Sequence, residues 1–266
     1  MIRRLLRRLF PAPPPPDYLR NQVARSWEKE SRNLTWFGLR DGMSILDLGC
    51  GPGHFTERLA AAFPSASITA LDSDPRMLQA AQERLGARAA HVSGSADSTS
   101  LPAASFDFVI ARLLFQHLDD PLAVARECRR VLKPGGRLVI IDVDDDLFGV
   151  VEPRVPGLRR LLARYGAAQS KRGGNRRIGR ALPRLLRDAG FTNVALEAVA
   201  IHSDDAGLDA VFPQLDPIPL QSLVAAGQLS EQEYSELREA HARFVASDPY
   251  AVILLFMACG LKSTDT

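Results

Sequence analysis

At 266 residues, with 46% hydrophobic positions against 24% charged, the chain is long enough for one large α/β domain with a cap and can bury a full core. A formal net charge of +2 makes no case by itself for nucleic acid, and three cysteines without CxxC or Cys/His spacing exclude a structural zinc site and fit a reduced, cytoplasmic setting. No stretch reaches the ~20 apolar residues of a membrane span.

Residues 1–10, MIRRLLRRLF, set Ile2, Leu5, Leu6, Leu9 and Phe10 on one helical face and Arg3, Arg4, Arg7 and Arg8 on the other, before PAPPPP stops the pattern. Two readings stay open for this tail, residues 1–16. It is either a weak anchor for an anionic membrane or a short helix that frays or lies on the protein's own surface. It lacks the apolar core and cleavage site of a secretory signal. From Asp17 to Phe37 the spacing of Val23, Trp27 and Leu34 predicts a helix.

From Met43 strands and helices alternate. SILDLG (44–49), SITALD (67–72), the weaker ARAAHVSGS (87–95), SFDFVIA (105–111) and RLVIIDV (137–143) read as strands. Between them lie a helix with Phe55 and Leu59 inward, one capped by Asp74-Pro75 with Met77, Leu78, Ala81 and Leu85, and one with Val124, Cys128, Val131 and Leu132. KPGG (133–136) reads as a turn. The alternation means βαβ units around a parallel sheet. Past Asp146 the pattern becomes irregular, with KRGGN (171–175) as a loop, before a helix ended by Gly190 and the strand TNVALEAVAIH. Ser230 and Glu233 form a capping box for a helix with Tyr234, Leu237, His241 and Phe244 on one face, and AVILLFMACGL ends the sheet.

The loop after the first strand, ILDLGCGPG (45–53), carries glycines at 49, 51 and 53, which remove Cβ atoms where a ligand would approach the backbone. The dinucleotide fingerprint would need a third glycine at position 54, which is His54, and no Gly-Lys-Ser/Thr follows for a phosphate loop.

LDLGCGPG resembles the first motif of class I S-adenosylmethionine-dependent methyltransferases. Further landmarks follow in the family's order: ALDSDPRML, ADSTSLP, SFDFVIARLLFQHLDDP and RVLKPGGRLVIID. The likeness is close over 40–145 and holds only in outline elsewhere. It extends to ubiquinone-type, menaquinone and natural-product enzymes. It implies a doubly wound, seven-stranded, mostly parallel sheet in the order 3-2-1-4-5-7-6, with the last strand antiparallel, and a helical cap. Residues 17–40 would form a lid, and 41–266 the cofactor-binding domain with cap insertions near 147–175 and 203–248.

The same resemblance implies a cofactor, S-adenosyl-L-methionine, leaving as S-adenosyl-L-homocysteine, and assigns residues to it. Gly49, Cys50, Gly51 and Gly53 would line its amino-acid end with Asp47 near the ammonium, and Asp72 would accept the ribose hydroxyls beside Ser73 and Met77. Asp97 and Ser98 would meet the adenine, and Arg112 either the amino-acid end or a surface ion pair. His117 has the pKa range of a general base, against a capping or packing role. No metal ligand set is expected: Ala111 and Arg112 stand where the catechol type needs an acid. The missing Asn/Asp-Pro-Pro-aromatic motif argues against DNA adenine and protein glutamine.

The run of Asp142, Asp144, Asp145 and Asp146 reads as a solvated loop or as a steering patch for a cationic substrate. Lys171, Arg172, Arg176, Arg177, Arg180, Arg184 and Arg187 read as a solvated face, or as a site for a phosphate, a carrier-protein arm or RNA. Methyl transfer to a small-molecule O, N or C atom is the leading expectation. An RNA methyltransferase using 171–187, or a cofactor-binding protein that no longer methylates, such as a cyclase, are the rivals.

Overall fold

The computed structural model describes residues 16–264, apart from residues 148, 155, 158, 160–162, 164–165, 168, 172, 208–220, 226 and 228. The basic tail and Arg172 therefore lie outside the described residues, except for Pro16 at the tail's end, as does Tyr165, which with His202 in the expected cap is a further candidate beside the acceptor.

Chain order is α1 (Pro16–Trp36), β1 (Ser44–Leu48), α2 (His54–Ala62), β2 (Ser67–Asp72), α3 (Pro75–Leu85), β3 (Ala90–Ser93), β4 (Phe106–Arg112), α4 (Pro121–Val131), β5 (Leu132–Val143), β6 (Gly149–Glu152), α5 (Leu182–Asp188), β7 (Thr192–His202), α6 (Ser203–Ala206), α7 (Gln221–Ala225), α8 (Glu231–Val245) and β8 (Tyr250–Leu261). The sheet runs β3-β2-β1-β4-β5-β8 with β7 on the far side of β8. Strands β1 to β5 pair in parallel, and β8 is antiparallel to both β5 and β7. That is the expected order, because β7 and β8 are the sixth and seventh strands of the sequence reading.

One strand is added. Inside a segment expected to belong to the cap, β6 pairs with the start of β8, Val150 opposite Val252, so the sheet has eight strands. Its apolar pair Val150-Val151 is too short to announce a strand by period alone. The KPGG turn is also drawn into the sheet. Gly135 keeps a left-handed φ of 79°, but the Gly135 N–H donates to the Lys262 carbonyl, and the register against β4 slips between Phe106 and Phe108.

Helices begin where short acids cap them. The Asp74 carboxylate accepts from the Arg76 N–H and the Asp120 carboxylate from the Ala123 N–H, each followed by a proline that needs no donor partner. Both sheet faces are covered, so the central strands are mostly apolar, with Asp47, Arg112 and Asp142 near their carboxyl ends. One face joins Ile45, Phe108, Ile110, Val139 and Ile141 to Leu34 of α1 and Leu59 of α2. The other joins Leu46, Leu48, Val109, Leu138 and Ile140 to Val124 and Cys128 of α4 and to Leu182 and Leu186 of α5. The carboxyl ends of β1, β2, β4 and β5 thus share one edge, the usual place for a ligand in this topology.

Candidate functional site

The loop after β1 turns through three glycines with positive φ, 74° at Gly49, 55° at Gly51 and 81° at Gly53. Their reasons differ. A Cβ on Gly49 would sit 3.0 Å from the Leu114 side chain, and one on Gly53 3.1 Å from the Cα of Ala81 in α3, so these two glycines let neighbouring elements pack. A Cβ on Gly51 would meet nothing within 4 Å among the described residues. Only Gly51 turns its missing side chain toward open space.

Asp72, the last residue of β2, clamps this loop. One carboxylate oxygen accepts the Gly51 N–H at 2.8 Å, and the other accepts the Asp74 N–H at 2.8 Å. The Gly49 and Cys50 N–H groups both point to the Leu71 carbonyl, so the loop hangs from the end of β2. Ser73 is exposed beside it and Met77 half-buried on α3, while Cys50 is buried, which pushes its thiol well above the ordinary range. Asp97 and Ser98 are exposed on a tight turn closed by the Ser98 N–H to the Ser95 carbonyl. The next residue anchors that turn: Thr99 donates through its hydroxyl and its N–H to Glu127, whose carboxyl Arg130 and Thr99 hold down at about 2.

Asp47 is buried below the loop and accepts a 2.6 Å hydrogen bond from the Thr56 hydroxyl at the start of α2. Burial pushes its carboxyl up to about 6, against that hydrogen bond and the attraction of Arg112. Arg112, at the end of β4, is not the surface ion pair that the sequence left open: its side chain is 7% exposed and forks onto Glu30, which is fully buried on α1. The guanidinium also lies over the Phe55 ring at 5.7 Å, with Trp27 edge-on to the same ring. Sequence reading missed Glu30, although it falls on the apolar stripe of α1 between Trp27 and Leu34, where an acid needs a partner.

The acidic run at the end of β5 is not a solvated loop. Asp142, Asp144 and Asp145 are buried, and much of the basic run serves them. Arg176 forks onto Asp145 and gives its remaining nitrogen to Gln116; Arg180 forks onto Asp144 and also reaches Asp146, which Arg177 joins. Two sequence features expected to face water therefore neutralise one another, because β5 ends beside the turn at 175–180. Arg184, Arg187 and Lys171 remain exposed.

His117 is exposed on the turn after β4. The Gln169 amide nitrogen donates to the Gln116 carbonyl at 2.6 Å and lies 3.2 Å from His117 Nδ1, so Gln169 ties the His117 ring to the turn after β4.

Asp142 accepts from the backbone N–H groups of Gln116 and Val143, yet burial pushes it from 3.8 up to about 7. The folded chain thus holds the Asp142 proton more tightly than the unfolded chain does. Its stabilising contribution is complete below the unfolded value of 3.8 and is lost as pH rises through about 7. Asp142→Asn cannot ionise, so between about pH 5 and about pH 8 its melting temperature is expected to fall less than that of the parent. Equal falls in both proteins would show that Asp142 does not titrate there.

Residues 46–140 match the family model described as a methyltransferase domain. Two curated relatives are similar over shorter stretches. Malonyl-[acyl-carrier protein] O-methyltransferase of Hahella chejuensis is 43% identical over 97 residues, 36% of this chain and 34% of its own. Demethylmenaquinone methyltransferase of Listeria monocytogenes is 30% identical over 144 residues, 52% of this chain and 57% of its own. The chain spans well under two thirds of the relatives it matches. Among solved structures, phosphoethanolamine N-methyltransferase 2 of Haemonchus contortus, in complex with phosphomonomethylethanolamine and S-adenosylhomocysteine, overlays with a TM-score of 0.58 at 20% identity, over 89% of this chain and 53% of that one. The [4+2]-cyclase SpnF overlays with a TM-score of 0.55 at 22% identity, over 90% and 84%.

Proposed function

We propose that this chain, whose residues 46–140 carry a class I S-adenosylmethionine-dependent methyltransferase domain, binds S-adenosyl-L-methionine at the loop 49–53 and transfers its methyl group to a small-molecule acceptor. The observation that carries the reading is the pairing of Gly51, open toward solvent at φ 55°, with the Asp72 carboxylate 2.8 Å from its N–H. Each Asp72 oxygen keeps a lone pair for one of two vicinal hydroxyls, and an uncrowded backbone beside it admits the amino-acid end of a nucleoside.

When bound, the cofactor supplies an electrophilic methyl carbon together with its own thioether leaving group. The chain's own residues then have to bind and orient. Asp47 faces the cofactor's ammonium, Asp97 and Ser98 the adenine, with Ser73 and Met77 flanking the ribose. The acceptor belongs at the ends of β4 and β5, beside His117. Acceptors that bring their own lone pair or charge, such as carboxylates, enolates and amines, need no base, and His117 is the candidate base where the acceptor must lose a proton. The relatives that act on malonyl-[acyl-carrier protein] and demethylmenaquinone support a small or carrier-borne acceptor in a biosynthetic step. Arg176, Arg177 and Arg180 are already engaged by carboxylates, which weakens an RNA-binding reading of that run.

Calorimetric titration tests this. The chain is expected to bind S-adenosylmethionine and S-adenosylhomocysteine but not NAD, and Gly51→Ala is expected to remain folded while binding falls on the order of tenfold or more, because a Cβ enters the ligand's space and a left-handed φ costs about 1–2 kcal/mol. Absence of nucleoside binding by the folded protein sinks the proposal. A second reading, a chain that binds the cofactor without methylating, draws support from the overlay on the cyclase. It predicts binding with no release of S-adenosylhomocysteine across a panel of carboxylate, enol and amine acceptors.

A further inference from the structure

The guanidinium of Arg112 has two hydrogen-bonding edges, and α1 holds one of them. Nε donates to both Glu30 oxygens at 3.2 and 3.0 Å, and Nη2 donates to Glu30 Oε1 at 3.1 Å and to the Ser26 hydroxyl at 3.2 Å. Nη1 has no hydrogen-bond partner among the described residues. Glu30 and Ser26 are both fully buried, and Phe55 backs the guanidinium plane at 5.7 Å. A buried arginine held rigidly on one edge presents the other at a fixed angle. Arg112 also acts electrostatically on Asp47, the acid below the glycine loop, which puts its open edge on the side of the molecule that the reading above gives to the cofactor's amino-acid end.

We propose that Glu30 is a positioning residue: it fixes Arg112 so that Nη1 meets the carboxylate of the cofactor while Asp47 stays available for the ammonium. This rests on the proposed cofactor reading and adds to it a role for α1. The sign of the effect follows from what Arg112 does without Glu30. An unpaired buried guanidinium turns to the buried acid it already attracts, Asp47, and that pairing withdraws both charges from the ligand at once. The adenosine half of the ligand, held by Asp72 and the 95–98 turn, is untouched. Helix α1, which also reaches the sheet through Lys29 Nζ to the Ala200 carbonyl at 2.8 Å, becomes part of the binding site and not only a cover over it.

The experiment compares two ligands on the full chain, S-adenosylhomocysteine and 5′-methylthioadenosine, which lacks the amino-acid end. Glu30→Gln keeps the volume and is expected to weaken S-adenosylhomocysteine on the order of tenfold or more, while 5′-methylthioadenosine stays within about twofold. Arg112→Lys, which keeps the charge and loses the fork, is expected to show the same selective loss. Equal losses for both ligands would assign Glu30 a purely structural role and overturn the proposal. Unchanged or tighter S-adenosylhomocysteine binding would overturn it too, the latter by showing that Glu30 competes with the ligand. A parent chain that binds neither nucleoside overturns the cofactor reading itself, so the two failures are distinct.

Discussion

Asp72→Ala is expected to weaken binding of S-adenosylhomocysteine by on the order of 100-fold or more, with the fold retained. Each hydrogen bond to a charged group contributes about 1.5–3 kcal/mol, so losing the acceptor of two ribose hydroxyls removes about 3–6 kcal/mol, a factor of roughly 100 to 10,000. A second effect adds to it. The same carboxylate holds the Gly51 and Asp74 N–H groups at 2.8 Å, so alanine releases the loop that the ligand must meet. Asp72→Asn separates the two contributions: its amide oxygen still accepts one N–H while its amide nitrogen confronts the other, and an intermediate affinity is expected. Calorimetry of both variants, alongside thermal melts to confirm folding, reads the result. An alanine variant within about threefold of the parent would mean that Asp72 serves only the loop and the cap of α3.

Asp145→Ala is expected to be the most destabilising change at the site, by about 3–5 kcal/mol, because it leaves the mostly buried Arg176 guanidinium without its anion. Asp145 is 5% exposed and Arg176 17%. Arg176 ties three elements together, holding Asp145 after β5, the Gln116 side chain after β4, and its own carbonyl to the Asp145 N–H. At roughly 2–4 °C per kcal/mol for a chain of this size, the melting temperature is expected to drop by about 6–20 °C. Asp146→Ala is the control. Asp146 is 46% exposed and its arginines are 60% and 46% exposed, so screening by water holds the expected effect within about 0.5 kcal/mol. Similar melting temperatures for the two variants would show that burial does not set the worth of these pairs.

The parts of this protein that local chemistry dictates were legible in its sequence. Alternating apolar runs and helical stripes gave β1 to β5, α2 to α4, β7 and β8, since strand and helix periods and the caps at Asp74 and Ser230 act over a few residues. Gly49, Gly51 and Gly53 announced a tight loop, but the sequence could not divide their duties. Only the approach of Leu114 and of Ala81 separates the two packing glycines from the one that faces open space.

The pairing of distant charges was decided by tertiary structure alone. Asp142 to Asp146 and Arg176 to Arg180 are some thirty residues apart and each reads as solvated; Asp144 and Asp145 find their arginines because β5 and the turn before α5 end at the same corner of the sheet. Glu30 and Arg112 are 82 positions apart, and no local period relates them. The short β6 likewise exists because β8 overshoots β5 and leaves an edge to pair. Sequence thus determined the strands other than β6, the principal helices, the glycine loop and the acid that ends β2, all governed by neighbours along the chain. Which buried charges meet, and so which residues orient the site, was decided by the packing of elements that the chain brings together from afar, where low dielectric makes each unpaired charge too costly to leave alone.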